Sequence, residues 1–258
     1  MRPPRALPPV PSRRLGLFLI ATAALIAATL ASACDDGQDG ASGSPTATAT
    51  GVPEATSTPS PEQQLLEQVV LQAEDLPEGL VQVSAIASPN EDAAQAAANP
   101  EEELARLESW GRLFGYDVTF LPGPDSPPDL AVVGVNSTAS IYVTSEGASA
   151  SFADDVEAAR SQDWALSYPD LVDLDIREME RPQLADQIVW IRIAGHQEEA
   201  SGSLYMEDFV VLREGRLRGF LRVTLLFPAS ASPDDYLEET TNLAARQVER
   251  MDAALGES

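Results

Sequence analysis

Leu204 to Leu226 constrains the fold of this 258-residue chain more than any other stretch. Two runs rich in β-branched and aromatic residues flank Glu214-Gly215, and both alternate in polarity, the pattern of a hairpin. Taking Glu214-Gly215 as the turn sets Glu207 opposite Arg222, Phe209 opposite Phe220 and Val211 opposite Arg218. Leu212/Leu217, Met206/Val223 and Leu204/Leu225 then share the other face, which is expected to be the core side. Asp208 falls on that apolar face opposite Leu221, so a bulge near Asp208 or a shifted register is expected.

The elements before the hairpin set its context. Ser60-Pro61-Glu62-Gln63 has a serine N-cap, proline at the first helical position and a glutamine placed to reach back. Leu65, Leu66, Val69 and Ala73 recur at helical spacing, and the helix is expected to stop at Asp75-Leu76-Pro77-Glu78-Gly79. A strand over Leu80 to Ile86 follows. A second helix is expected from Asn99-Pro100-Glu101-Glu102, with Leu104, Leu107, Trp110 and Phe114 as its buried stripe and Gly115 as its C-terminal cap. Tyr116, Val118 and Phe120 alternate as a half-buried strand. Leu130 to Thr144 reads as one long strand or a pair bending near Asn136.

Ser145 is placed to cap a helix carrying Phe152, Val156 and Ala159, and Val172, Leu174 and Ile176 alternate as a further strand. Ile188 to Ala194 is nearly continuous in apolar residues, as in a strand covered on both faces. After the hairpin, Ser232-Pro233-Asp234-Asp235 opens a final helix with Leu237, Thr241, Ala244, Val248, Met251 and Leu255 along one side. This order predicts an α+β fold: a mainly antiparallel sheet of five to seven strands flanked by helices, as in an α/β/α sandwich. No internal repeat or second linker divides residues 62–258, so they form a single expected domain, large enough to bury roughly 70% of its unfolded surface.

The order of elements, with Asp75-Leu76-Pro77-Glu78-Gly79 after the first helix, resembles secreted lipoprotein domains of actinobacteria and Chloroflexi. It is also similar to PknH-type extracellular sensor domains and to the PsbP-like sandwich. PknH-type sensors carry disulfides, which a chain with one cysteine cannot form internally. The resemblance implies a binding or accessory module more than an activity.

The N-terminus supplies an address. Arg2, Arg5, Arg13 and Arg14 precede an uncharged run from Leu15 to Ala33, and Leu30-Ala31-Ser32-Ala33-Cys34 closes it. This resembles a bacterial lipobox, with Ala31 where leucine is usual, which implies a signal peptide over residues 1–33 and diacylglycerol on Cys34. Ser12-Arg13-Arg14-Leu15-Gly16-Leu17 also resembles a twin-arginine signal, so both export routes stay open. An uncleaved span is the competing reading of the same run. From Cys34 to Pro61 the chain is rich in Gly, Ser, Thr, Ala and Pro, with Val52 as its only large apolar residue. It is expected to be a disordered tether with a root-mean-square reach of roughly 30 Å.

Charge and composition exclude several functions. All 16 basic residues are arginine against 41 acids, and loss of the four leader arginines takes the net charge from −25 to −29. Nucleic acid is therefore not an expected partner. His196 is the only histidine, which removes metal sites built on two histidines; at a strand end before Gln197-Glu198-Glu199 it is expected on a surface loop. Asp170, Asp173 and Asp175 lack the glycine and distal glutamate of a calcium loop and fit the solvent side of a strand. Asn136-Ser137-Thr138 matches a glycosylation sequon that is usually accidental in bacteria.

No phosphate loop, nucleophile elbow or Cys-x-x-Cys is present, and no cofactor or metal is expected. The local feature that stands out is arginine-rich: Arg216, Arg218 and Arg222 share a face with Phe220 by alternation, a candidate spot for an anionic ligand or partner. The competing reading pairs them internally with Glu207 and with helix acids. The expected function is a lipid-anchored extracytoplasmic module that binds a small ligand or another envelope protein. The alternative is a cell-envelope hydrolase using a carboxylate pair.

Overall fold

A computed structural model of the chain describes residues 59–180, 183–197, 202–228, 230–232 and 237–256. The expected signal peptide, Cys34 and nearly all of the tether lie outside these residues. So does most of Ser232-Pro233-Asp234-Asp235, the expected start of the last helix.

One seven-stranded antiparallel sheet forms the body of the α+β fold. Its strands are β1 (Leu80–Ser88), β2 (Arg112–Pro122), β3 (Val132–Tyr142), β4 (Leu171–Glu178), β5 (Gln187–Gln197), β6 (Leu204–Glu214) and β7 (Leu217–Phe227), in the spatial order β1-β2-β3-β7-β6-β5-β4. Two meanders thus meet where β3 pairs with β7. Helices α1 (Pro61–Val69) and α6 (Leu237–Gly256) cover one face, burying Leu66, Leu243 and Met251 against Phe120, Val135, Leu221 and their neighbours.

The other face carries α4 (Ser145–Ser161) and the single turn α5 (Trp164–Ser167), preceded along the chain by α2 (Asn90–Gln95) and α3 (Pro100–Ser109). Phe152 and Val156 of α4 pack on Val189, Ile191 and Val211, and Trp164 packs on Ile193 and Phe209. Arg106 ties α3 to Asp154 of α4 at 2.6 Å. After β3 the chain must reach the far edge at β4, four strand spacings or about 19 Å away. The 17-residue α4, about 25 Å long, makes most of that crossing. Thr144 caps it by accepting from Gly147 N, so the cap falls one residue before the expected Ser145. Gly147 is required there because a Cβ would stand 1.9 Å from the Trp110 carbonyl oxygen.

The hairpin register differs from the expectation in an instructive way. The turn is Gly215-Arg216, with Glu214 still paired to Leu217 and Glu207 opposite Thr224. Gly215 takes φ +51° at the first turn position, which glycine adopts without steric cost. Moving the turn by one residue moves every partner by two, so the two faces are unchanged. No bulge occurs in the β6/β7 pairing, and Asp208 lies opposite Val223 on the core side as expected.

Several boundaries also move. The first helix ends at Val69, not near Asp75, because Val70 turns extended and carries Leu71 into the core, both wholly buried. Leu71 N donates to Ser137 Oγ at 3.1 Å, and the Gln72 amide caps the Glu67 and Val70 carbonyls. Burial outweighs helix propensity here. The second expected helix, α3, ends at Ser109, with Gly111 rather than Gly115 in the left-handed region at φ +66°; Phe114 and Gly115 belong to β2.

Leu130 to Thr144 holds one continuous strand, β3, and β5 is buried on both faces through Ala194. His196 lies inside β5 rather than on a loop, its Nδ1 2.9 Å from the Gly202 carbonyl. β4 is an edge with a register shift at Asp173, so Val172 and Ile176 are exposed and Leu174 alone of the expected trio packs inward. In the last helix the buried row runs through Thr240, Leu243, Ala244, Gln247, Val248, Met251 and Ala254, with Leu237 and Leu255 half-buried against the same core, and of the expected stripe Thr241 alone falls outside it.

Candidate functional site

β6 and β7 hold the arginine-rich face beneath α4 and α5. Arg222 Nε donates to Glu207 Oε1, and the Tyr168 hydroxyl donates to Glu207 Oε2. Tyr205 OH donates to the same oxygen at 3.0 Å and Thr224 Oγ1 to Oε1 at 3.3 Å. Glu207 is fully buried, and these four donors replace its water. Phe209 fills the centre, with the Arg222 guanidinium 5.6 Å above its ring and Phe220 6.2 Å to its side. Burial alone would lower the Arg222 pKa, but the Glu207 carboxylate more than offsets this and holds it above the ordinary arginine value. Burial and then the same carboxylate push Tyr168 and Tyr205 well above the ordinary tyrosine value.

Arg218 is engaged separately. It pairs with Asp155 of α4 and donates to Ser151 Oγ at 3.1 Å, and that hydroxyl also accepts from Tyr142 OH at 2.7 Å. Arg216 occupies the hairpin turn, off the strand, so the structure brings together Arg218, Phe220 and Arg222 without it. The guanidiniums of Arg218 and Arg222 point at protein carboxylates on this face.

On the opposite face, directly behind Glu207, Asp208 meets Arg192 of β5 in a bidentate pair at 2.7 Å for both contacts. Both residues are wholly buried, and Thr240 Oγ1 of α6 donates to Asp208 Oδ2 at 2.5 Å. The Arg192 guanidinium also lies 5.5 Å from the Trp190 ring centre. Two adjacent residues of β6 therefore carry buried carboxylates to opposite faces of the sheet, each neutralised by an arginine from a neighbouring strand.

A groove of about 860 Å³ opens between α4 and the start of β5. Phe152, Val156, Ile188 and Val189 form its apolar floor, and Glu157, Arg160, Asp186 and Gln187 its polar rim. Two of the rim charges are held in place: Arg160 donates to both oxygens of Glu178, and Asp186 pairs with Arg213 at 3.0 Å and accepts from Gly215 N. Such a site suits a ligand with an apolar body and a polar end.

Asn136, the residue of the sequon, lies mid-strand in β3 with its amide nitrogen donating to Asp117 Oδ2 at 2.9 Å and Thr119 Oγ1 at 3.1 Å, and Ser137 is fully buried. Asp173 and Asp175 are exposed on β4, with Asp175 bonded to Arg177 at 2.7 Å. Among the described residues no group of three or more His, Cys, Asp or Glu is arranged to hold a metal ion. None of the described helices is long and apolar enough to cross a membrane.

Comparison with solved structures adds a likeness in fold. The extracellular domain of PknH from Mycobacterium tuberculosis is similar at a TM-score of 0.46 and 9% identity, over 78% of this chain and 99% of that one. No family model matches the chain, and no curated protein matches it.

The sequence reading missed the Arg192–Asp208 pair, the two tyrosines on Glu207 and the groove. A signal existed for the first: Arg192 and Asp208 are lone charges at core-facing positions of otherwise apolar runs, a pattern that calls for mutual pairing. Nothing local marks Tyr168 or the groove, which arise only when α4 and α5 fold back across the sheet.

Proposed function

We propose that the chain is a lipid-anchored, extracytoplasmic binding or accessory module, exported through its leader and held to the membrane by diacylglycerol on Cys34. The observation that carries the binding role is the groove between α4 and β5, whose apolar floor and pinned polar rim fit an amphipathic small molecule or an apolar side chain of an envelope protein. Arg160 and Asp186 are each paired with a residue outside the groove, Glu178 and Arg213, rather than converging on a common point, which favours recognition over chemistry.

Ala153 lies exposed on the α4 wall of the groove, so Ala153→Trp fills the groove without touching the core. The neutral fluorophore N-phenyl-1-naphthylamine serves as probe. The parent chain is expected to give saturable fluorescence enhancement with one equivalent bound, and Ala153→Trp to reduce it at least tenfold at unchanged thermal stability. Equal enhancement by both proteins would remove the groove from the account.

A further inference from the structure

The two edges of the sheet are built differently. At one edge, β4 carries Asp173, Asp175, Arg177 and Glu178 and is broken by Asp173 at φ +55°, devices that discourage another strand from pairing. At the other, β1 runs Leu-Val-Gln-Val-Ser-Ala-Ile-Ala-Ser over Leu80–Ser88 without a single charge, in a chain of net charge −25. Its partner β2 occupies one side only; among the described residues no strand occupies the other. Val81, Val83 and Ile86 are 44%, 53% and 55% exposed. The register shift at Val83 leaves Ser84 to Ser88 as an uninterrupted template paired to Thr119 through Gly115.

We propose that β1 is a docking edge that accepts an extended segment of a partner protein as an eighth strand. The partner's chemistry follows from what surrounds the edge. β1 itself offers backbone hydrogen bonds and small apolar side chains, so the docking segment is uncharged with alternate branched apolar residues. Acids flank both ends, Glu78 before the strand and Glu91 and Asp92 after it, so the segment carries arginine or lysine beyond its ends. A second copy of this chain fits badly: two-fold antiparallel pairing of β1 with itself brings Glu78 of one copy beside Glu91 and Asp92 of the other, between two bodies of strong like charge.

The test uses the full chain purified in mild detergent and two synthetic peptides, each alternating threonine and valine over seven residues, one ending in paired lysines and the other in paired glutamates. Amide hydrogen exchange reads the edge. The lysine peptide is expected to slow exchange across Leu80–Ser88 by tenfold or more, with an affinity that weakens as salt is added, and to leave Leu171–Glu178 unchanged. The glutamate peptide is expected to have no effect. A Val81→Arg/Ile86→Arg double variant, altered only at exposed side chains, should keep its thermal stability and lose the response. Four outcomes would overturn the proposal: no slowing with either peptide, equal slowing at β4, an edge already protected in the isolated chain by its own tether, or concentration-dependent protection with a sedimenting dimer.

Discussion

Replacing Asp208 with alanine is expected to cost about 3–5 kcal/mol of folding stability, because it removes the bidentate carboxylate partner of a wholly buried guanidinium. Thr240 on α6 loses its acceptor in the same step, so the helix is loosened from the sheet as well. Replacing both partners, Arg192→Met with Asp208→Leu, removes the charge and its counter-charge together and is expected to be close to neutral or stabilising. Urea unfolding followed by far-ultraviolet circular dichroism checks both. A single variant within about 1 kcal/mol of the parent, where about 3–5 is expected, would mean the guanidinium finds water or another acid when Asp208 is gone.

Glu207→Gln is the second large effect. The buried carboxylate accepts from Arg222, Tyr168, Tyr205 and Thr224, and loss of its charge is expected to cost about 2–3 kcal/mol at neutral pH, since hydrogen bonds to charged groups are the strong ones. An alkaline signature accompanies it. Burial and Glu207 raise both tyrosine pKa values in the folded state, so the folded chain keeps two protons that the unfolded chain releases above about pH 10. The associated stability is complete below that pH and is lost as pH rises through it, at about 1.4 kcal/mol per pH unit for each tyrosine. Absorbance at 295 nm should show these two hydroxyls silent in the native parent until it unfolds. In Glu207→Gln they should ionise at lower pH, while Tyr168→Phe should remove one of the late steps. Titration of both tyrosines near pH 10 in the native parent would contradict the geometry.

How far the sequence predicts the structure depends on whether the determining contacts are local. The hairpin faces were readable because alternation needs only one strand at a time, whereas its register hung on which residue accepts a positive φ, and Gly215 decided that. The start of the first helix was legible from its cap at Ser60, whose hydroxyl accepts from Gln63 N at 3.1 Å. Helix ends were less so, because Val70 and Leu71 leave the helix to fill the core, a gain visible only once Ser137 and the sheet are in place. The arginine face was anticipated as a cluster, with internal pairing to Glu207 and to helix acids as the competing reading. Which carboxylate each arginine takes depends on α4 crossing the sheet, and no periodicity encodes that. The groove shares this origin, since its floor joins Phe152 and Val156 to Ile188 and Val189 from a strand that follows much later in the chain.

The proposed role rests on where the domain is held, and the mass of the mature chain tests that most directly. Cells expressing the protein are fed an alkyne fatty acid, and the membrane fraction is analysed by intact mass spectrometry and by click labelling. The account predicts a chain beginning at Cys34, heavier than its polypeptide by a diacylglycerol group, and labelled in the parent but not in Cys34→Ala. A chain recovered from the cytosol with residues 1–33 intact, or labelling that survives Cys34→Ala, would contradict it.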